Sequence, residues 1–109
     1  MPVTKHTPGP WIPARKANCT SCRHPAILRD GGQVATATWQ GSEAETDANA
    51  RLIAAAPELL EALQEMVAGD AEAIAEADAL GVPFPDEMLT AYRRAVAAIS
   101  KATGGAPCL

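Results

Sequence analysis

The densest group of chemically capable side chains is Asn18–Pro25 (NCTSCRHP), which holds Cys19, Cys22 and His24. Two thiolates in a Cys-x-x-Cys spacing can share a tetrahedral metal with a nearby imidazole, so zinc is the chemistry this stretch allows. A fourth ligand would have to be His6 or Cys108, neither at a diagnostic spacing, and the chain has no second Cys-x-x-Cys. A redox pair needs a helix starting at the first cysteine, because the helix N-terminus lowers the thiol pKa. Here Pro25 and a strand-like stretch follow instead. A plain loop with reduced thiols is the expectation, with zinc as the alternative and no cofactor required.

The second group is spread along the chain. Guanidinium groups grip phosphates bidentately, and indoles stack on bases. The residues able to build such an anion site are Trp11, Arg15, Arg23, Arg29, Trp39, Arg51, Arg93 and Arg94. The charge is divided in a way that suits them. Residues 1–41 carry five basic residues against Asp30 alone, a local charge of +4. Residues 42–109 carry four basic residues against twelve acids, a local charge of −8. Asymmetry between halves points to a polar partner for the basic part. The plainer reading is that the acids solvate helices and that Arg93 and Arg94 pair with Glu61, Glu65 or Glu72. Trp11, similarly, has a structural role open to it as the anchor of the N-terminal arm, with its N–H needing one partner.

Several chemistries are missing. There is no Gly-rich phosphate loop, no His-Glu-x-x-His and no Gly-x-Ser-x-Gly. Both histidines fall in the N-terminal third, and Ser42 and Ser100 have no base nearby in sequence. The chain is therefore not expected to be an enzyme. Acidic helices also disfavour duplex DNA as a partner, since that needs several phosphate contacts from Lys and Arg. No run of about 18 apolar residues suggests a membrane span, and the N-terminus lacks a signal-peptide pattern. A cytoplasmic protein is expected.

The elements that must hold these groups are legible in the pattern. With 109 residues, a single domain with a modest core is expected. Residues 1–16 are a Pro-rich, extended arm. Ala26–Arg29 and Val34–Trp39 flank Asp30-Gly31-Gly32, whose residues tolerate the positive φ of a tight turn, so a β-hairpin is expected over 17–41. A third strand near Trp11–Arg15 would stabilise it, because a bare hairpin is marginal in water. Residues 46–103 read as helical. Thr46 or Asp47 can cap a first helix reaching Ala55, whose apolar face would be Leu52, Ile53 and the alanines. Pro57 has no N–H to continue a helix but suits the first turn of the next, giving two helices at an elbow; one kinked helix is the alternative. Leu60, Leu63, Val67, Ala71, Ile74 and Ala77 mark one face of a long helix over about 58–79. Gly69 lies within it as a possible break, and Gly81 ends it. Met88 or Leu89, Tyr92, Val96, Ile99 and Thr103 mark a last helix over about 86–102. The fold class is α+β: a small antiparallel sheet, a short helix and a long antiparallel helical hairpin. Leu59, Met66, Leu89 and Ile99 are expected to leave apolar surface that a homo-oligomer would cover.

His6–Trp11 (HTPGPW) and Asn49–Leu63 (NARLIAAAPELLEAL) together resemble a pattern in small proteins of tailed bacteriophages and prophages. Those proteins open on HTPGPW, pass through a short β segment, reach a similar helix pair and end in another helix. The resemblance covers the two motifs closely, Ala17–Trp39 in general character and Asp70–Leu109 loosely. It implies a phage accessory protein in a bacterial host cell, brings no activity, and does not require the cysteines. Three functions suit such a chain. One is a nucleotide sponge, for which the anti-Thoeris proteins offer a distant analogy of build, small sheet plus two helices. The second is a protein-binding inhibitor of a host defence complex, anti-CRISPR-like, acting through an acidic or apolar helical face. The third is a structural or regulatory phage protein.

Overall fold

The computed structural model describes residues 6–14 and 24–104. Three strands, β1 (Ile12–Ala14), β2 (Ala26–Arg29) and β3 (Gly32–Thr36), precede three helices, α1 (Glu43–Ala54), α2 (Ala56–Leu80) and α3 (Asp86–Ala102). The expected α+β class is what forms. Two compact units divide the chain: His6–Leu59, and the helical part from Leu60 onward.

The first unit is a three-stranded antiparallel sheet in the order β1-β2-β3, with α1 packed on β1 and β2. The third strand pairs as expected, Ile12 opposite Leu28 and Ala14 opposite Ala26. Pro13 is tolerable there because β1 is an edge strand, where a missing N–H costs no interior ladder bond. The hairpin turns at Asp30-Gly31, and Gly31 takes φ +87°, which a Cβ would oppose. Its register shifts between Ile27 and Leu28. β3 ends at Thr36 rather than Trp39, although the Ala37 N–H still donates to the Pro25 carbonyl at 2.9 Å.

Central β2 supplies the one large buried apolar side chain among the described residues. Ile27 is wholly buried among Ala37, Ala50 and Ala54, with Trp11, Val34, Ala35 and Ile53 partly buried around them. Alanines at this contact let α1 lie close on the sheet, since interaxial spacing follows side-chain size. The buried face of α1 is Thr46, Ala50 and Ala54, at helical spacing. Leu52, expected on that face, points to solvent instead.

The start of α1 corrects the expectation as well. Ser42, not Thr46 or Asp47, is the N-cap, and its Oγ accepts from the Glu45 N–H at 3.1 Å. Thr46 lies one turn in and is completely buried. Its hydroxyl donates to the Ser42 carbonyl at 2.8 Å and accepts from the Gln40 N–H at 3.0 Å. A buried hydroxyl with both roles used carries no desolvation penalty.

The elbow forms at Ala55. α1 ends there, α2 begins at Ala56, and Pro57 occupies the first turn, where its missing N–H is not needed. α2 then runs unbroken through Gly69. It stops at Gly81, φ +69°, where the Val82 N–H reaches the Ala77 carbonyl at 2.9 Å and the Gly81 N–H reaches Asp78 at 3.2 Å. That pair of bonds is a Schellman stop, which satisfies carbonyls left over at a helix end. α3 follows with the expected bounds.

In the helical hairpin, Leu60, Leu63, Val67, Ala71, Ile74 and Ala77 are half-buried on α2, as are Leu89, Tyr92, Val96 and Ile99 on α3 and Thr103 at its C-cap. No residue of either helix is fully buried. Of the side chains expected to remain unsatisfied, Leu59 and Met66 are exposed, while Leu89 and Ile99 sit on the half-buried stripe. Among the described residues no helix is long and apolar enough to cross a membrane.

Candidate functional site

Two stretches far apart in sequence meet in the first unit. The arm His6–Trp11 reaches the elbow of Asn49–Leu63, and the contact is made at glycine. A Cβ added to Gly9 would come within 3.1 Å of the Pro57 Cβ, so only a residue without a side chain fits there without displacement. The following Gly9–Pro10 bond is cis. Trp11 then turns into the domain, half-buried, with its ring nearly perpendicular to that of His6 and 6.2 Å between centroids. Such T-shaped pairs place a positive ring edge on a negative ring face.

Beside this contact lies an open hollow of about 350 Å³, lined by Trp11, Pro13, Arg51, Ala54, Ala55 and Glu58. Its apolar wall comes from Pro13, Ala54 and Ala55. Its polar groups are one guanidinium, one carboxylate and an indole. Arg51 and Glu58 are both exposed, and neither makes an ion pair or side-chain hydrogen bond among the described residues. The Trp11 Nε1–H is buried and has no hydrogen-bond partner among the described residues. Trp11 packs against the core as the expected anchor would, and the partner expected for its N–H is not among the described residues. An unsatisfied buried donor costs about 1–3 kcal/mol.

Of the eight anion-site candidates, the fold brings together Trp11 and Arg51. Arg29 lies exposed at the end of β2 and donates to the Asp30 carbonyl at 3.2 Å. Trp39 is half-buried after β3. Arg93 and Arg94 are exposed on α3, in the other unit. Their expected pairing with Glu61, Glu65 or Glu72 does not form among the described residues. Arg15 and Arg23 lie outside the described residues, as do Cys19, Cys22 and Cys108. His24 is described: its Nδ1 accepts the Trp39 N–H at 2.8 Å, which fixes the ring beside the sheet and leaves Nε2 as the other nitrogen. No group of three metal-binding side chains occurs among the described residues.

Residue type alone marks Trp11 and Arg51 in the sequence, but nothing there pairs them or points to Glu58. The spacing Arg51–Glu58 is seven residues across the elbow, a signal that becomes readable only once α1 and α2 are placed end to end.

No curated protein and no solved structure matches this chain. A family model does match, that of Salmonella phage P22 protein Y8K6, over residues 1–106. The match spans nearly the whole chain, so the protein belongs to the Salmonella phage P22 protein Y8K6 family.

Proposed function

We propose that this phage protein is a non-enzymatic accessory factor that holds a nucleotide-like anion in the Trp11–Arg51 hollow, and that it acts in counter-defence by sequestering a nucleotide immune signal as an oligomer. The observation that carries the reading is that an indole, a guanidinium and a carboxylate line one hollow, the two charged groups unpaired among the described residues. The roles divide by chemistry. Arg51 takes the phosphate through two parallel N–H bonds. Trp11 offers a flat face for a base, a contact worth about 1–3 kcal/mol. Glu58 opposes an anion but accepts hydrogen bonds from the amino or imino edge of a base. A ligand with a negative end and a donor-rich planar end satisfies all three groups, whereas inorganic phosphate satisfies one. The volume lies at the lower end of the range for small-molecule sites, about 300–1,000 Å³.

The test is a thermal-shift screen of the purified protein against cyclic oligonucleotides and ADP-ribose derivatives. A ligand present at 100 times its Kd stabilises the native state by about 2.7 kcal/mol. The expected result is a shift with one ligand class that Arg51→Ala removes while leaving the unliganded transition in place. A flat screen would overturn the reading. It would favour the second one, a protein-binding inhibitor, which the exposed Met66 and Leu80 on acidic α2 support.

A further inference from the structure

α2 carries two apolar rows, and the hairpin uses one. The half-buried row runs from Leu60 to Ala77. A second row, Ala62, Met66, Gly69, Ala73 and Leu80, repeats at spacings of three, four and seven, and every member is exposed, Met66 at 66 % and Leu80 at 71 %. At about 100° per residue it lies roughly 120° round the helix from the first. Gly69 sits in the middle of this second row. Glycine disfavours a helix interior, and a Cβ there would meet nothing within 4 Å among the described residues. None of the described residues needs that position to be empty.

The charges beside the row are of one sign. From Leu60 to Leu80 there are six acids and no basic residue, with Glu61, Glu65, Glu72 and Glu76 along one edge of the exposed row. α3 has the complementary face. Its exposed row Ala91, Arg94, Ala98 and Lys101 alternates small and basic residues at spacings of three and four, and no acid occurs after Glu87 in that helix.

We propose that the exposed row of α2 docks the exposed row of α3 from a second copy of this chain, with the partner's helix passing over Gly69. The alanines of α3 allow close approach at the glycine, since helix spacing follows the side chains at the contact. Arg94 and Lys101 face the glutamates at the edge, and Met66 and Leu80 leave water. The two surfaces differ, so the contact is heterologous: each copy offers one face of each kind, and assembly proceeds head to tail into a closed ring or a chain. The contact uses the helical unit from Leu60 onward and not the hollow of the His6–Leu59 unit, and it supplies the oligomer on which the proposed function rests.

The experiment is a charge swap read as mass by light scattering. Wild-type protein is expected to exceed the mass of one chain. Arg94→Glu with Lys101→Glu, and separately Glu65→Lys with Glu72→Lys, should each give the mass of one chain, because in each variant the two faces repel. Mixing these two variants should restore assembly beyond the mass of one chain, since every contact between unlike variants joins opposite charges. Restoration also shows that both variants are folded. Gly69→Leu should lower the mass while helical circular dichroism is kept. A wild-type mass of one chain at tens of micromolar would overturn the proposal. So would assembly by either double variant alone, a mixture that stays at single-chain mass, or undiminished assembly by Gly69→Leu. Stable capture of a different, basic protein on the α2 row by the single-chain species would identify another occupant and likewise overturn it.

Discussion

Replacing Ile27 by Ala is the sharpest perturbation of the sheet unit. Ile27 is wholly buried on the central strand, and the other buried apolar residues beside it, Ala37, Ala50 and Ala54, are already small. The substitution removes three carbons. At about 0.8 kcal/mol for each buried methylene-sized group, the transfer loss is roughly 2.4 kcal/mol. The cavity left behind adds to this, and the measured range for such changes is about 2–5 kcal/mol. The buried alanines cannot fill the space, because their side chains have no rotamers to swing, and Val34 and Ile53 are stiff at χ1. A loss of about 3–4 kcal/mol is therefore expected. Leu28→Ala, one residue along and partly exposed, should cost about 1 kcal/mol or less. The assay is urea unfolding followed by tryptophan fluorescence, because both tryptophans, Trp11 and Trp39, lie in the His6–Leu59 unit. A loss below about 1 kcal/mol for Ile27→Ala, or equal losses for the two variants, would refute the account of this core.

The remaining predictions concern single hydrogen bonds and backbone positions. Ser42→Ala should destabilise the protein by about 1 kcal/mol through the lost N-cap, read in the same unfolding assay. Thr46→Val keeps the shape but strips a buried hydroxyl used twice, so a loss of about 1–3 kcal/mol is expected; a neutral result would contradict the assigned bonds. Gly81→Ala forces a Cβ into φ +69° and should cost about 1 kcal/mol, measured as a lower Tm by far-ultraviolet circular dichroism.

Much of the fold was legible because its signals are local. The alternation and Asp30-Gly31 gave the hairpin, Pro57 gave the elbow, and the three-four spacing with Gly81 gave α2 and α3. The misreadings came where tertiary packing decides between equal local options. Ser42 and Thr46 both have the right oxygen for a cap; burial on the sheet took Thr46 inward and left Ser42 at the helix start. Leu52 and Ala50 are both apolar, but the close approach of α1 to the sheet selects the smaller one. Propensity alone marks Gly69 as a possible break, whereas about three turns on either side carry the helix through at about 1 kcal/mol. The candidate site was the least legible part. Its residue types stood out, but the meeting of Trp11 with Arg51 and Glu58 depends on Gly9 lying against Pro57, a contact between segments with no periodic relation.

The most direct test of the proposed binding role uses Trp11 as its own reporter. In a Trp39→Phe background, Trp11 is the one remaining indole, and a base stacked on it changes its emission. Titration with the cyclic oligonucleotides and ADP-ribose derivatives should give a saturable quench for one class of ligand. The same titration on the Arg51→Ala protein should stay flat while circular dichroism is unchanged. An emission unaltered by every ligand, or a quench that survives Arg51→Ala at equal affinity, would contradict the assignment of the hollow.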